Sequence, residues 1–239
     1  QRQMCIRDSW RTDDVRINVV TIFPEFFEVP LGTSIPGRAA AAGLVKYRVV
    51  DLRDYTHDRH RTVDDEPYGG GAGMVMKPEP FFEAMDELEP KGPVVLLSPR
   101  GRVFDHDTAV RFAVQPELTL LCGHYKGVDE RVAEGVATEE LSVGDYVLSG
   151  GEPAALVVVD AVVRLLPGAM SDHESAAEDS FYDGLLAPPV FTRPAEYRGR
   201  EVPEVLRSGD HARIAEWRRL EAERLTRDRR PELWEREGH

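Results

Sequence analysis

The polar segment 53–74 contains the densest group of side chains that could bind a metal ion or an anion. Its imidazole and carboxylate groups belong to His57, Asp58, His60, Asp64 and Asp65. Metal binding is disfavoured, because the guanidinium groups of Arg59 and Arg61 lie between these side chains and would oppose a cation. Arginine, histidine and hydroxyl groups in one segment suit contact with phosphate or RNA, and they suit a solvated loop of ion pairs equally well. The residues alone leave these two alternatives open.

The glycine run 69–73, GGGAG, lies at the end of the same segment. It does not match a P-loop, because no Lys-Ser or Lys-Thr pair follows it. It does not match a dinucleotide-binding loop either, because Met74 occupies the position of the last glycine in G-x-G-x-x-G. A flexible surface loop is therefore the favoured interpretation.

Three loops rich in glycine, proline and serine form a second candidate site. They span residues 98–102, 122–127 and 142–151, and each follows a stretch that resembles a strand. Because ligands of open α/β sheets bind outside the carboxyl ends of the strands, these loops are expected to share a pocket. Three ordinary turns are the alternative. Loop 142–151 turns twice around a short apolar run and so presents backbone groups, which suits a flat, hydrogen-bonding ligand such as an adenine ring.

The segment 153–166 predicts a helix in which Asp160 and Arg164 are the only charged residues. A helix that is apolar on nearly every face is expected to be buried, either inside the fold or in a subunit interface. A charge in such a helix is costly unless it has a function, which makes Arg164 a candidate; an i,i+4 pair with Asp160 is the ordinary alternative. Asp179 lies beside Glu178 in an acidic stretch, and composition does not distinguish it from a solvated acid.

Apolar runs separated by helical segments predict the elements that position these residues. Strands are expected at 15–22, 46–52, 94–98 and 118–122. Helices are expected at 37–44, 78–88, 107–114, 127–136 and 153–166, and from about 211 to 227. Strands that alternate with helices, and whose runs are apolar throughout, indicate an α/β fold with a mainly parallel sheet.

Composition divides the chain of 239 residues into a main domain and a smaller helical one. Residues 1–14 show no periodicity and are interpreted as a non-native or disordered extension. The main domain is expected at 15–168, a flexible linker at 169–179 and a helical C-terminal domain at 180–239. The net charge of −13 argues against non-specific coating of nucleic acid. Residues 191–239 nevertheless hold 12 Lys and Arg against 11 Asp and Glu, which leaves 18 against 32 elsewhere, so RNA contact is expected from this arginine-rich end.

Cysteine use and hydropathy predict a cytoplasmic protein that does not enter a membrane. Cys5 and Cys122 are the only cysteines and provide no disulfide framework. No apolar run approaches the ~20 residues needed to cross a bilayer, and no secretory signal opens the chain.

Long motifs resemble those of the bacterial tRNA (guanine-N1)-methyltransferase family, TrmD, of the SPOUT superfamily. They are FPEFF, DYTHDRHRTVDDEPYGGGAGM, LSPRGR, CGHYKGVDER, SVGDYVLSGGE, EDSF and EVPEVLRSGDH. The resemblance extends from about Val15 to Glu235. It implies a SPOUT-type parallel sheet with a deep trefoil knot formed by the three loops, S-adenosylmethionine held by the knot, and a homodimer with active sites between subunits.

The resemblance also implies roles for individual residues. The expected cofactor contacts are Leu97, Ser98, Pro99, Gly123, Tyr125, Val143, Gly144, Asp145, Tyr146, Val147, Leu148, Gly150 and Gly151. The expected contacts with the substrate are Arg59, His60 and Ser175. Asp179 matches the general base that would remove the proton from guanine N1, and Arg164 matches the arginine that would stabilise the charge developing on O6.

Members of this family methylate the guanosine immediately 3′ of the anticodon (position 37 of tRNA), preferably after another guanosine, and they use Mg²⁺. No conventional Mg²⁺ ligand cluster is visible in the sequence. Lys126 stands where a glutamate is expected, which reverses the charge beside the cofactor pocket. The chain also ends soon after the RRPELWE stretch, where many relatives add a further helix.

Three other functions compete with this one. Another SPOUT methyltransferase would act on a different RNA, but Asp179, Arg164 and the THDRHRTVDD loop favour the guanine-N1 enzyme. A catalytically silent RNA-binding relative is disfavoured because both Asp179 and Arg164 are present. A dinucleotide-dependent dehydrogenase is disfavoured because no G-x-G-x-x-G follows the strand at 15–22.

Overall fold

A five-stranded parallel sheet lies at the centre of the computed structural model, which describes residues 14–170 and 179–236. The chain divides into two units, residues 1–171 and 172–239. The strands of the first unit are β1 (Val15–Thr21), β2 (Val45–Asp51), β3 (Asp64–Asp65), β4 (Val75–Met76), β5 (Val94–Val103), β6 (Glu117–Cys122) and β7 (Glu139–Ser142). The sheet has the order β2-β1-β6-β5-β7, and β3 and β4 form a separate antiparallel pair. The predicted α/β class with a parallel sheet is confirmed.

Helices of the first unit connect the strands and cover both faces of the sheet. They are α1 (Glu28–Leu31), α2 (Ser34–Ala41), α3 (Pro78–Leu88), α4 (His106–Ala113), α5 (Glu130–Gly135) and α6 (Glu152–Val163). Two 3-10 helices, Pro24–Phe27 and Leu52–Tyr55, follow β1 and β2. Aspartates cap the amino ends of α4 and α5: Asp105 accepts a hydrogen bond from the Thr108 amide at 2.9 Å, and Asp129 accepts one from the Arg131 amide at 3.0 Å.

Alternate residues of the buried strands supply two separate cores. Val95 and Leu97 of β5 pack in the core that contains α6, whereas Val94 and Leu96 pack in the core that contains Phe81 of α3. Successive side chains of a strand point to opposite faces, so a strand covered by helices on both sides is apolar throughout. This explains why uninterrupted apolar runs predicted the positions of β5 and β6, whereas β1 was predicted from its alternation and its β-branched residues.

The sequence indicated a strand-like stretch before the loop at 142–151 but gave no bounds for it. This stretch is β7, and β5 extends beyond its predicted end at 98. β7 carries Glu139 and Glu140, which conceal its position in the sheet. Arg111 binds Glu139 through two hydrogen bonds of 2.8 Å, and Arg100 reaches Glu140 at 3.3 Å. Leu97 and Arg102 of β5 both pair with Leu141, so residues 98–101, which we predicted to be a loop, form an irregularity within the strand.

Helix α6 is not buried on every face within one copy of the chain, so of the two predicted alternatives, burial inside the fold does not account for the whole helix. Pro153, Val157 and Asp160 are exposed and recur at helical spacing along one side, with Val157 51% exposed. The opposite side, including Ala155 and Val158, is fully buried against the sheet. An exposed valine on a helix this apolar is typical of a surface that contacts another molecule.

The second unit contains a short hairpin followed by helices. Its elements are β8 (Glu196–Tyr197), β9 (Arg200–Glu201), α7 (Glu204–Arg207), α8 (His211–Arg229) and α9 (Pro231–Arg236). Thr226 of α8 is buried, accepts a hydrogen bond from the Leu186 amide at 2.9 Å and donates one to the Ala222 carbonyl at 2.7 Å. Leu225 is also buried, whereas Leu220 is exposed. No helix within the two described stretches combines the length and the apolar character needed to span a bilayer.

Candidate active site

A cavity of about 300 Å³ lies at the carboxyl ends of β5, β6 and β7. Residues 96–100, 123–128, 141–144 and 146–151 line it, together with Ala154 from the first turn of α6. Its size is within the range of roughly 300–1,000 Å³ that is typical of small-molecule sites. The prediction that the three loops share a pocket is confirmed, because all three contribute to the same wall.

The cavity brings together the residues that the family resemblance assigns to the cofactor, with the exception of Asp145. Contact with a cofactor stays a prediction for all of them. The lining residues that sequence reasoning missed are Leu96, Arg100, His124, Lys126, Gly127, Val128, Leu141, Ser142, Ser149 and Ala154. Most lie within or beside the three loops, so their position in the loops could have indicated them. Ala154 lies three residues after Gly151, a spacing that places both near one face of a helix.

The close approach of two loops shapes the floor of the cavity. The Gly151 amide donates a hydrogen bond to the Gly123 carbonyl at 2.8 Å, and His124 forms an isolated antiparallel bridge with Gly150. A Cβ on Gly151 would lie only 2.8 Å from the Cys122 Cα, so this position accepts no side chain without movement of the backbone. The loops therefore present main-chain groups to the cavity, as the glycine content predicts.

Loop 142–148 is held in shape by its own hydrogen bonds. The Ser142 hydroxyl lies 3.0 Å from the Gly144 carbonyl and 3.2 Å from the Gly144 amide, and the Tyr146 hydroxyl donates to the Val143 carbonyl at 3.1 Å. Val147 at the loop tip is 84% exposed. A loop with fixed geometry and an exposed apolar tip is suited to contact with a ligand or with another subunit.

A buried polar group underlies the same loops. Glu152 is buried at the start of α6, and its Oε1 accepts a hydrogen bond from the Thr21 hydroxyl at 2.7 Å. The His124 ring packs edge-on against Phe23, with 5.1 Å between ring centroids, and its Nδ1 is buried without a hydrogen-bond partner among the described residues. Burial, reinforced by the Glu152 carboxylate, raises the pKa of the Cys122 thiol, so this cysteine stays protonated and unreactive.

Charges around the cavity are largely paired. Arg100 lies 2.7 Å from Glu130 and 3.3 Å from Glu140, and the hydrogen bond to Glu130 and the charge of Glu140 raise the pKa of its guanidinium. Arg131 binds Asp129 at 2.8 Å, and this hydrogen bond lowers the pKa of the Asp129 carboxyl. These pairs leave little net charge on this wall, so an uncharged adenine ring would meet no electrostatic penalty there.

The two residues predicted to be catalytic belong to different units of the chain. Arg164 caps the carboxyl end of α6, where a cation is favoured; its Nη2 lies 3.7 Å from the Met170 sulfur and it does not line the cavity. Asp179 is half-buried in the second unit, and its carbonyl accepts a hydrogen bond from the Tyr182 amide at 3.5 Å.

The polar segment 53–74 forms an exposed loop stabilised by its own side chains. Asp58 accepts hydrogen bonds from the Thr62 amide at 2.8 Å and the Thr62 hydroxyl at 2.7 Å, which lowers the pKa of the Asp58 carboxyl to about 2. His57 lies 2.7 Å from Glu83. Arg59 and His60 are exposed, as a contact with RNA would require, and Ser175 lies outside the described residues.

No three His, Cys, Asp or Glu side chains within residues 14–170 and 179–236 come together in a way that could hold a metal ion. His57 and Asp58, the first members of the histidine and aspartate group, instead contact Glu83 and Thr62. The contact with Glu83 favours the ion-pair interpretation at His57, whereas Asp58 is held by hydrogen bonds from the uncharged Thr62.

Comparison with known proteins identifies the family. The family model for tRNA (Guanine-1)-methyltransferase TrmD matches residues 15–236. The chain is 55% identical over 219 residues to a tRNA (guanine-N(1)-)-methyltransferase of Persephonella marina, covering 90% of this chain and 86% of that protein. Proteins of the same name from Rhodospirillum rubrum and Dehalococcoides mccartyi are 53% identical over 223 residues (93% of each chain) and 51% identical over 225 residues (92% and 91%). The chain therefore belongs to the TrmD family of tRNA (guanine-N1)-methyltransferases.

Proposed function

We propose that this chain transfers a methyl group from S-adenosylmethionine to N1 of the guanosine immediately 3′ of the anticodon in tRNA. The observation that carries the proposal is the cavity shared by the irregularity within β5 and the loops after β6 and β7, in a chain that matches the TrmD family along nearly its whole length. The names of the relatives supply the reaction and the tRNA substrate. The position in tRNA follows from the family resemblance.

The residues of the cavity fit S-adenosylmethionine. Main-chain groups from residues 143–148 and from Gly123 would hydrogen-bond the adenine, and Leu97, Ser98 and Pro99 would enclose it from the side of β5. Gly150 and Gly151 complete the floor, where backbone approaches backbone too closely for a side chain. When bound, S-adenosylmethionine supplies a methyl group attached to a positively charged sulfur. The chain contributes binding, orientation and the exclusion of water.

Asp179 would act as the general base. Guanine N1 carries a proton at neutral pH and is a poor nucleophile until that proton leaves, so a carboxylate within hydrogen-bond reach can accept it. Arg164 would stabilise the negative charge that develops on guanine O6 in the transition state. Its position at the end of α6 supports this role, because the helix anchors a guanidinium at the edge of a rigid, buried element.

We propose a homodimer with active sites between subunits, and a trefoil knot in the first unit. The exposed side of α6 supports the dimer, since Val157 and the loop tip at Val147 would otherwise leave apolar surface in water. The chain path supports the knot. It leaves β7 at the edge of the sheet and returns to place Gly151 against Gly123, beyond the neighbouring strand β5.

Contact with tRNA is assigned to Arg59, His60, Ser175 and the arginine-rich second unit. The balance of 12 basic against 11 acidic residues over 191–239 supports this assignment, because the rest of the chain is strongly acidic. The described residues do not fit a Mg²⁺ site, and no step proposed here passes through the metal. We assign the protein to the cytoplasm, in keeping with its free, buried Cys122.

Methyl transfer to unmodified tRNA transcripts tests the proposal. The native protein should methylate a transcript with guanosine 3′ of the anticodon and leave one with adenosine there unmodified. Asp179→Asn should lower kcat by about 10²–10⁴-fold, and Arg164→Gln by about 10²–10³-fold. Asp183→Asn is the matched control in the same unit, because the amide oxygen of asparagine can still accept the hydrogen bond that Asp183 receives from the Leu185 amide. Equal transfer to both transcripts would move the target to another nucleotide, and full activity of Asp179→Asn would refute the assigned base.

A further inference from the structure

Lys126 lies where the wall of the cavity meets the glycine run 69–73. Lys126 lines the cavity, and its side chain extends along the glycines. A Cβ built on Gly71 would lie 3.3 Å from the Lys126 Nζ, and one built on Gly73 would lie 3.7 Å from the Lys126 Cβ. The lysine side chain therefore runs beside the two glycines, whose φ values of 113° at Gly71 and 92° at Gly73 lie in the region that favours glycine.

The backbone of Lys126 is fixed from both sides. Its amide donates a hydrogen bond to the Met74 carbonyl at 3.0 Å, and the Met76 amide donates one to the Gly127 carbonyl at 3.0 Å. Tyr125, the preceding residue, has a φ of 59°, in the left-handed region that side chains rarely adopt. Main-chain hydrogen bonds thus join the loop after β6 to the segment that ends the glycine run, and they fix the backbone from which the Lys126 side chain extends.

Lys126 also differs electrostatically from its basic neighbours. Arg100 is paired with Glu130 and Glu140, and Arg131 is paired with Asp129. Lys126 forms no ion pair with a carboxylate within the described part of the chain, and it is exposed. The net charge of −13 makes the protein as a whole repel a polyanion. The ammonium group of Lys126, unpaired among the described residues, attracts a polyanion locally, at the edge of the cavity.

We propose that Lys126 and the main chain of residues 69–73 bind a backbone phosphate of the RNA substrate at the edge of the cavity, and so position the strand for methyl transfer. This inference rests on the proposed function, because it takes tRNA as the substrate. An RNA phosphate fits better than the carboxylate of the cofactor, since Gly71 and Gly73 are exposed and do not line the cavity. Exposed glycines also allow a sugar–phosphate backbone to approach the protein main chain closely.

The experiment measures binding of an unmodified tRNA transcript to the native protein and to Lys126→Met as a function of salt concentration. Loss of one phosphate contact should weaken binding about fivefold and reduce the slope of log K against log salt by about 0.7 to 0.9. Lys126→Arg, which keeps the charge, should restore most of the affinity and the slope. Lys91→Met is the matched control. Lys91 is exposed, but it precedes the amino end of β5, whereas Lys126 follows the carboxyl end of β6.

Calorimetric binding of S-adenosylmethionine to the same variants separates the alternatives. The proposal requires Lys126→Met to bind tRNA more weakly and with a smaller salt slope, and retained binding of S-adenosylmethionine would show that the variant is folded. Weaker cofactor binding with an unchanged RNA salt slope would assign the ammonium group to the cofactor carboxylate and overturn the proposal. An unchanged slope and affinity for both ligands would overturn it as well. If the native protein binds cofactor and methylates tRNA in these cases, the proposed function stands and only the role of Lys126 fails.

Discussion

Replacing Gly151 by alanine should separate the loops that form the floor of the cavity. The new Cβ would lie 2.8 Å from the Cys122 Cα and 3.0 Å from the Gly123 amide nitrogen. Both are main-chain atoms of a buried strand end, so neither can move aside as a flexible side chain could. The loop at 149–151 would have to retreat and lengthen its 2.8 Å hydrogen bond to the Gly123 carbonyl.

The expected cost follows from two opposing terms. Overpacking of a well-packed site costs about 1–3 kcal/mol. Gly151 has φ −77° and ψ −13°, which alanine adopts without strain, so the lower entropy of the unfolded chain returns about 0.4–1 kcal/mol. The net effect is a loss of roughly 1–2 kcal/mol in the free energy of unfolding, or about a 5–30-fold change in the folded-to-unfolded ratio. Affinity for S-adenosylmethionine should fall too, because the retreating loop carries part of the cavity wall.

Urea denaturation and calorimetric titration with S-adenosylmethionine would measure the two effects. Gly32→Ala is the matched control, since Gly32 has a similar backbone conformation, with φ −91° and ψ 0°, and its Cβ would meet nothing closer than 3.4 Å. This control should retain or slightly gain stability. If Gly151→Ala is as stable as Gly32→Ala and binds the cofactor as well as the native protein does, the close approach of the two loops is not what shapes the cavity.

Three further predictions concern other parts of the first unit. Thr21→Val should lower the free energy of unfolding by about 1–3 kcal/mol, because the buried Glu152 loses the donor 2.7 Å from its Oε1; Thr21→Ser, measured alongside by urea denaturation, should lose less. The pKa of Asp58 is depressed to about 2, so its bonds to Thr62 should persist above pH 4 and be lost as pH falls towards 2. Amide exchange measures this, and loss of protection at the Thr62 amide already above pH 4 would contradict the prediction. Val157→Asp should convert the proposed dimer to monomer in light scattering at micromolar concentration, and an unchanged mass would place the interface elsewhere.

Much of the sheet was predictable because its central strands are covered on both faces. Apolar runs predicted β5 and β6, and alternation with β-branched residues predicted β1, within a few residues of their ends apart from the extension of β5. The bounds of β7 were not predicted because this strand lies at the edge of the sheet and is not apolar throughout. Its Glu139 and Glu140 are paired with arginines from elsewhere in the chain. Local periodicity reports whether a side chain faces the core, and it does not report a distant ion-pair partner.

The sequence alone determined which family the chain resembles, because its motifs are long and contiguous, and it indicated three loops that could share a pocket, with three ordinary turns as the alternative. Only the tertiary structure decided which loop touches which. Thr21 and Glu152 are separated by 131 positions, and the contacts of Gly151 with Cys122 and of Lys126 with Gly71 likewise join different segments. Segments that are distant in the sequence lie together because parallel strands have their carboxyl ends on the same side of the sheet. Strand order sets this arrangement, and the spacing of residues along the chain does not.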